Sequence, residues 1–494
     1  MIKNGLYNFI GGVFRIGLAI ISVPILIRLI GIEQYGIWTL VSAAVSVIIL
    51  AEAGLSISAT FFLSGDLANQ DNIAFAEHYT IILGTMFALA TCAFVAMWFG
   101  AGNLVKFFPN LSIDQKEIAI QAVQIGGAVA WTRMIQQVFV GVEQAYGRYD
   151  TINLFNIAQA ILFRGGLLLV AWRGGNIVQM MYWQALVSLA VLVALGTIVW
   201  LRLQQTQLRF RLKWRQFGPV FRYSLMTWLS SIGGTFFGQF DRLAIGAILT
   251  PLDLGIYGGI TDMTRQINFI SALPTQPLLP TVAHHASTER AVTSAIQEKI
   301  QQALQINAFV AFGLGSAMLI FAPFILNVVM SQATTALNLL AFRIAIVIYS
   351  LYSLNAVGYF ILLGSNRVRL NMIIVTVSGF LSLVAISVGA LYTGMVGGII
   401  GNSVYMGTLL LTVISLHCYG IRLDLAFTWI SVPTAILGAA CILSMSPFVG
   451  QFEYQIAIVA IQSILLCIWF IRAQKLEPRL IINQIVHKLH PNQL

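Results

Sequence analysis

Long apolar runs separated by short polar segments make up almost the whole chain. The runs are continuously apolar rather than alternating with polar residues, which favours helices and argues against the strands of a barrel. Most runs reach about 20 residues, enough to cross roughly 30 Å of hydrocarbon as a helix. The pattern therefore predicts an all-α polytopic membrane protein.

These runs predict about 14 transmembrane spans. They are placed at residues 6–30, 37–63, 78–100, 118–140, 151–172, 177–201, 222–249, 255–282, 303–326, 337–363, 370–392, 395–417, 426–446 and 452–472. We predict two six-helix lobes joined by a basic cytoplasmic linker, then two extra helices and an amphipathic cytoplasmic tail. The corresponding ranges are 1–201, 202–222, 223–420, 421–472 and 473–494.

The hairpin at Leu6–Leu63 has a counterpart later in the chain. Shifted by 219 residues, its turn Ile30–Trp38 aligns without a gap with Leu249–Tyr257. The same shift places residues 147–148 on 366–367. One offset shared by two distant places indicates an internal duplication. Because the first copy has an even number of spans, both copies enter the membrane in the same direction. The predicted pseudo-two-fold axis therefore runs along the membrane normal.

Composition and charge agree with a membrane location. The chain has 494 residues, of which 58% are hydrophobic and 9% charged, whereas soluble proteins have about 25% charged residues. The net charge of +10 is explained by basic cytoplasmic loops, without nucleic-acid binding. If the N-terminus is cytoplasmic, the predicted outer segments hold only Lys106, Lys116 and Arg173 among the basic residues. We therefore expect both termini inside, and the first run to be a retained span rather than a signal peptide.

Charges inside the predicted spans are the strongest candidates for function, because an arginine at the bilayer centre costs ~3 kcal/mol. The deep arginines that cannot reach water along their own side chains are Arg15, Arg133, Arg164 and Arg265. We expect each of them to face a wet cavity or an acidic partner. Arg242 lies in the predicted seventh span beside Asp241.

Acidic partners for these arginines are few. Glu52 could pair with Arg15 or Arg164, and Asp262 with Arg265, which follows it by three residues on the same helix face. Together with Asp241, three deep carboxylates face five deep arginines, a surplus of about two positive charges. The sequence leaves open whether these charges are salt bridges within the bundle or a cationic cavity suited to a diphosphate. The carboxylates could equally couple transport to protons or sodium.

No motif for catalysis, metal binding or nucleotide hydrolysis is present in the sequence. There is no P-loop, and no serine-hydrolase or metal-hydrolase spacing. The four cysteines are scattered, and the pair at 284–285 is the only adjacent histidine pair, without further ligands nearby. We therefore expect a protein that is not an enzyme and has no cofactor.

Several segments resemble a known family. Arg28–Trp38 followed by Glu52–Ser56 resembles the opening of bacterial polysaccharide flippases of the Wzx type. Asp241–Gly246 running into Leu254–Tyr257 resembles their second-repeat counterpart. Phe139–Arg148 resembles the end of their fourth span. These motifs are shared with the wider superfamily of multidrug and toxin extruders and lipid II flippases.

The resemblance implies two six-helix lobes around a V-shaped cavity, with alternating access. It implies that an undecaprenyl-diphosphate-linked oligosaccharide moves from the inner to the outer leaflet of the bacterial inner membrane. The residues expected to bind the diphosphate are Arg15, Arg133, Arg164 and Arg265. The expected counter-ions or ion-coupling residues are Glu52, Asp241 and Asp262. Membrane lipids and the polymerase or chain-length machinery are the expected partners.

Three alternatives stay open from the sequence. A lipid II flippase would match the two extra helices beyond twelve. A cation-coupled exporter of drugs or metabolites would need a cavity lined by carboxylates. A non-transporting scaffold for polysaccharide assembly would tolerate the neutralisation of each intramembrane charge.

Overall fold

The computed structural model describes residues 17–18, 21–52, 54–205, 217–288, 292–330, 335–365, 367–446 and 451–474. Within these ranges the regular secondary structure is entirely helical, which confirms the predicted all-α class. Arg15 lies outside the described residues, as do most of the basic linker (206–216) and the predicted tail from residue 475 onward.

The first compact unit comprises Met1–Asp262 and Val375–Val404. Its helices are α1 (Ile21–Ile30), α2 (Ile32–Ile49), α3 (Leu55–Ala68), α4 (Asn72–Lys106), α5 (Ile113–Ala145), α6 (Tyr149–Trp172), α7 (Ile177–Gln205), α8 (Phe217–Thr235), α9 (Asp241–Ile248), the first half of α10 (Pro251–Ala272) and most of α16 (Val368–Gly401). A wide helical turn at Phe236–Phe240 joins α8 to α9.

The second compact unit comprises Met263–Ile374 and Tyr405–Leu494. Its helices, after the end of α10, are α11 (Leu278–Thr288), α12 (Ser294–Ile320), α13 (Ala322–Met330), α14 (Ala336–Tyr352), α15 (Asn355–Gly364), the start of α16 (Val368–Gly401), α17 (Leu410–Cys418), α18 (Leu423–Ser444) and α19 (Phe452–Ala473). The predicted domain boundaries at residues 201 and 223 follow the sequence repeat, not these compact units. The predicted domain division stays a prediction.

Ten helical segments of the described chain are long and apolar enough to cross a membrane. The protein is therefore a multi-pass membrane protein, as predicted. One of these segments, 368–418, covers two predicted spans and turns at Thr393 and Gly394, whose φ/ψ are non-helical. The predicted seventh span is divided between α8 and the short, charged α9. The count of 14 stays a prediction.

The helices of the first unit begin where side chains can satisfy the free backbone N–H groups. Asp71 accepts hydrogen bonds from the N–H groups of Ile73 and Ala74 at the start of α4. Ser112 and Gln115 form a reciprocal capping box at the start of α5. These polar residues fix the ends of two otherwise apolar helices.

The two copies of the repeated turn touch each other inside the first unit. An ideal Cβ on Gly36 of α2 would lie 2.0 Å from the carbonyl oxygen of Pro251. One on Gly255 of α10 would lie 2.1 Å from the carbonyl oxygen of Ile32. Positions 32 and 251, like 36 and 255, are related by the 219-residue offset of the sequence repeat. The contact is therefore reciprocal, as a local two-fold axis requires.

A third pair at the same offset continues this contact by one helical turn. An ideal Cβ on Gly258 would lie 3.5 Å from the Cβ of Thr39. Equivalent residues thus meet in register along α2 and α10. Only an axis that runs between the helices, along their length, brings equivalent positions together at successive turns. This is the direction that the sequence predicts for the repeat axis.

Candidate functional site

A cavity of about 560 Å³ lies between α5 and α6 in the first unit. Its lining combines two arginines with five carboxamides: Arg133, Gln136, Gln137, Gln144, Asn156, Gln159 and Arg164. The remaining lining residues are Val140, Ile152, Ala160 and Phe163, so no carboxylate of the described residues lines the cavity. The cavity extends from Arg133 and Arg164 towards Gln144, close to the turn that joins the two helices.

The polar lining of the cavity follows from the periodicity of the two helices. On α5 the lining residues recur at intervals of three or four, from Arg133 through Val140 to Gln144. On α6 they recur in the same way from Ile152 to Arg164. Each helix thus presents a polar face to the cavity. The spacing of these amides is visible in the sequence. The site residues predicted from the sequence were all charged, so the amides were not among them.

Among the described residues, Arg133 has no acidic partner in the cavity. Its guanidinium carbon lies 5.7 Å from the centre of the Phe163 ring, in cation–π range. Its Nε is buried and has no hydrogen-bond partner among the described residues. The guanidinium of Arg133 can therefore still donate a hydrogen bond to a ligand.

Arg164 is anchored by a neutral group. It donates a hydrogen bond from Nη1 to the hydroxyl of Ser22 on α1, at 2.6 Å. Its charge also acts on the carboxylate of Asp262 and on the hydroxyl of Tyr35. Arg164 thus belongs to the cavity and also adjoins a second polar cluster.

The second cluster is centred on Asp262 of α10. Its carboxylate accepts a hydrogen bond from the Tyr35 hydroxyl on α2, at 2.8 Å. The same carboxylate forms an ion pair with Arg242 on α9. The three-residue spacing in the sequence predicts that Asp262 can pair with Arg265 on the same helix face. In the structure this carboxylate pairs with Arg242 of α9, a partner from a different helix.

Asp241 lies next to Arg242 in sequence but serves a different set of contacts. It is fully buried and accepts a hydrogen bond from the Tyr257 hydroxyl at 2.9 Å. The amide of Asn402 donates to the same hydroxyl at 3.3 Å. Adjacent residues on a helix point about 100° apart, so this separation follows from helical geometry.

Glu52 sits at a break between α2 and α3. A short 3₁₀ turn spans Leu50–Glu52, and Gly54 has a left-handed φ of 73°. Ser56 donates a hydrogen bond to one carboxylate oxygen at 3.1 Å, and the other oxygen has no partner among the described residues. Glu52 forms no ion pair within the described part of the chain.

Arg265 belongs to the second unit and does not line the cavity. Its charge acts on the hydroxyls of Tyr352 and Tyr405, two tyrosines whose ring centres lie 5.3 Å apart. Of the four arginines predicted to bind a diphosphate, the structure brings Arg133 and Arg164 together. Arg15 lies outside the described residues.

The chain matches the family described as "Polysaccharide biosynthesis protein" over residues 1–286, more than half of its length. It belongs to this family. No curated protein sequence matches it.

Solved structures share the fold. The structure named "Lipid II flippase MurJ, inward closed conformation" is 10% identical with a TM-score of 0.75, covering 96% of this chain and 99% of that one. An inward-facing MATE family transporter of the MOP superfamily is 14% identical with a TM-score of 0.64, covering 88% and 95%. The MATE multidrug transporter DinF-BH is 14% identical with a TM-score of 0.61, covering 86% and 96%.

At such identities the structural matches establish the fold, while the family match establishes membership. Both agree with the predicted superfamily. The matched structures are those of a flippase and of transporters, not of enzymes. The narrower Wzx-type resemblance stays a prediction.

Proposed function

We propose that the protein is a flippase for undecaprenyl-diphosphate-linked oligosaccharide in surface polysaccharide biosynthesis. The observation that carries this proposal is the cavity between α5 and α6, in which Arg133 and Arg164 face carboxamides and, within the described part of the chain, no carboxylate. Membership of the polysaccharide biosynthesis family and a transporter fold support it.

The two arginines supply the charge that a diphosphate needs. At ~5 Å and an effective dielectric constant of ~20, each arginine–phosphate charge pair contributes ~3 kcal/mol before desolvation. Neither Arg133 nor Arg164 forms an ion pair with a carboxylate in the described residues. Their planar forks are therefore available for phosphate oxygens.

The carboxamides suit the sugar part of the substrate. A primary amide both donates and accepts hydrogen bonds, as a sugar hydroxyl group does. Gln136 and Gln159 already exchange hydrogen bonds across the cavity, at 3.2 and 3.4 Å. The cavity thus offers an anion-binding part and a neutral polar part, which matches a sugar diphosphate.

The predicted topology gives the direction of transport. The turn at Tyr146–Arg148 is on the predicted cytoplasmic side, and the cavity extends towards it. In this proposal the substrate enters from the cytoplasmic leaflet of the inner membrane and leaves to the outer leaflet by alternating access. Both termini are cytoplasmic in this arrangement. The polymerase and chain-length machinery would receive the product.

Coupling to an ion gradient is a further part of the proposal. Glu52 is the favoured coupling residue because it has no ion pair in the described chain and lies at a helix break. Asp241 and Asp262 already accept hydrogen bonds from tyrosines and act chiefly as counter-ions.

A lipid II flippase is the second candidate, favoured by the TM-score of 0.75 to MurJ. It would use the same two arginines, because lipid II also carries a diphosphate. A drug exporter that selects cations is disfavoured, since the described lining of the cavity carries two arginines and no carboxylate.

The test is a deletion strain complemented with arginine variants. We expect Arg133→Ala and Arg164→Ala to leave lipid-linked oligosaccharide trapped on the cytoplasmic leaflet, with surface polysaccharide reduced by about tenfold or more, the factor for each ~1.4 kcal/mol lost. Arg173→Ala is the matched control, because Arg173 is an exposed arginine at the end of α6. Accumulation of lipid II with normal surface polysaccharide would favour the second candidate. Normal levels of both lipids in the two variants would contradict the site.

A further inference from the structure

Two glutamines face each other across the cavity, and we call them the amide pair. The side-chain amide of Gln136 on α5 donates a hydrogen bond to Oε1 of Gln159 on α6 at 3.2 Å, and Gln159 donates back to Oε1 of Gln136 at 3.4 Å. A primary amide has two N–H donors and two acceptor lone pairs, and this exchange uses one of each. Neither side chain forms another hydrogen bond within the described part of the chain. Each amide can therefore still donate one hydrogen bond to a ligand and accept one from it.

The amide pair lies one helical turn from an arginine of the proposed diphosphate site. Gln136 follows Arg133 by three residues on α5, a rise of about 4.5 Å, and both side chains line the cavity. In a sugar diphosphate the phosphate is bonded to C1 of the sugar, and the substituent on C2 is the nearest one on the ring. A sugar whose diphosphate contacts Arg133 therefore has its C2 substituent within reach of the amide pair.

Apolar side chains adjoin the amide pair on both helices. Val140 lies one turn beyond Gln136 on α5, and Ala160 follows Gln159 directly on α6. Both line the cavity, as does Phe163, one turn beyond Gln159. The cavity thus combines, at one level, two amides that can donate and accept with a lining that can contact a methyl group.

We infer that the amide pair and the adjoining apolar side chains bind the acetamido group of a 2-acetamido sugar that is bonded directly to the diphosphate. The inference rests on the proposed function, because the diphosphate in Arg133 and Arg164 places the sugar. It narrows the substrate class, since the first sugar must then carry an N-acetyl group at C2.

The three parts of an acetamido group match the three parts of this subsite. Its N–H donates to one glutamine oxygen, its carbonyl accepts from the other glutamine N–H, and its methyl group contacts Val140 and Ala160. A hydroxyl group at C2 can bond to the amides, but it has no methyl group and leaves the apolar side unfilled. A carboxylate would be matched better by an arginine than by two neutral amides.

Gln144 is less suited to this first sugar. Its Oε1 already accepts a hydrogen bond from the hydroxyl of Thr60 on α3, at 2.7 Å. It also follows Arg133 by eleven residues on α5, a rise of about 16 Å. Gln144 is therefore placed to meet a sugar further along the oligosaccharide.

The test compares four short-chain polyprenyl diphosphates that differ only in the sugar: N-acetylglucosamine, N-acetylgalactosamine, glucose or none. Their dissociation constants are measured with the purified full chain in detergent. We expect the N-acetylglucosamine lipid to bind about tenfold or more tightly than the glucose lipid, because a site built around a polar group rejects the analogue that lacks it. N-acetylgalactosamine differs from N-acetylglucosamine only at C4, so it should bind within about twofold of it.

Variants of the subsite should remove this preference without removing diphosphate binding. Gln136→Leu and Gln159→Leu should bind the N-acetylglucosamine lipid no more tightly than the glucose lipid, with unchanged affinity for the diphosphate that carries no sugar. Ala160→Val fills the place of the methyl group and should weaken binding of the N-acetylglucosamine lipid about fivefold more than binding of the glucose lipid. Gln121→Leu is the matched control, because Gln121 is exposed on α5 and does not line the cavity.

The outcomes separate this inference from the function on which it rests. If all four diphosphates bind but the glucose lipid binds as tightly as the N-acetylglucosamine lipid, the acetamido subsite is wrong and the flippase proposal stands. A preference that survives in both glutamine variants would also overturn the subsite. If the wild-type protein binds none of the four diphosphates, the proposed function fails and the inference falls with it.

Discussion

At the scale of single residues, neutral partners distinguish the two cavity arginines from an ordinary buried ion pair. Arg202, for comparison, pairs with the fully buried Glu143 at 2.8 Å. Arg133 instead contacts the Phe163 ring, and Arg164 donates to a serine hydroxyl. The charge of a guanidinium that is held by neutral groups is not compensated, so it can pair with an anionic ligand. The charge of a guanidinium in an ion pair is already compensated by the carboxylate.

Two adjacent glycines in α6 give a residue-scale prediction about packing. A Cβ on Gly166 would lie 1.8 Å from Nε1 of Trp183, whose N–H donates to the carbonyl of Leu162 at 2.9 Å. Gly166→Ala should displace the indole and destabilise the protein by about 1–3 kcal/mol, as overpacking does. Gly165→Ala has nothing within 4 Å of its new Cβ and should be neutral or stabilising by up to ~1 kcal/mol.

Thermal unfolding of the two variants in the same detergent checks this prediction. Equal melting temperatures for the Gly166→Ala and Gly165→Ala proteins would contradict the packing assigned to Trp183.

At the scale of elements, the break between α2 and α3 was not expected from the sequence. The apolar run 37–63 predicts one continuous helix, but the chain turns through Leu50–Glu52 and reaches a left-handed φ at Gly54. The carbonyl of Leu50 accepts a hydrogen bond from the Trp228 indole at 2.6 Å. A contact 178 residues away thus satisfies a polar group freed by the break, which no local pattern reveals.

Removing this indole donor should weaken the contact between α2 and α8. Trp228→Phe leaves the ring volume largely unchanged and deletes the hydrogen bond to Leu50. We expect a loss of about 1–2 kcal/mol in the free energy of unfolding, since a half-buried carbonyl loses its partner. Trp200→Phe is the control because Trp200 is exposed on α7. Denaturant unfolding followed by circular dichroism measures both, and an equal effect of the two substitutions would remove the role given to Trp228.

At the scale of the whole molecule, the repeat found in the sequence has a direct structural expression. Residues that share the 219-residue offset meet in pairs along α2 and α10, at Gly36 with Gly255 and at Thr39 with Gly258. A duplication alone predicts that the copies look alike. Their contact in register shows in addition that the local axis passes between these two helices.

The predicted topology is also a property of the whole molecule, and it is testable at two loops. With both termini cytoplasmic, the segment before α5 lies outside and the segment between α3 and α4 lies inside. A cysteine at Asp114 should react with a membrane-impermeant maleimide in intact cells. A cysteine at Asn69 should react only after the membrane is opened. Both side chains are exposed in the structure, so the reverse pattern of labelling would invert the topology and the direction of transport.

The sequence by itself determined the membrane class, the duplication and which charges are exceptional. These conclusions follow from composition and periodicity, because hydrocarbon tolerates few polar groups and each exception is visible. Arg133 and Arg164 were found in this way, although they lie on different helices, α5 and α6, and no local pattern links them.

Only the tertiary structure decided which side chains meet. It placed Arg133 and Arg164 in one cavity and surrounded them with amides that the charge analysis had passed over. It brought Asp262 to Arg242 and Tyr35, and it put Gly36 against Gly255. Partner choice depends on which helix faces approach each other, and that is fixed by the packing of distant segments rather than by spacing along one helix.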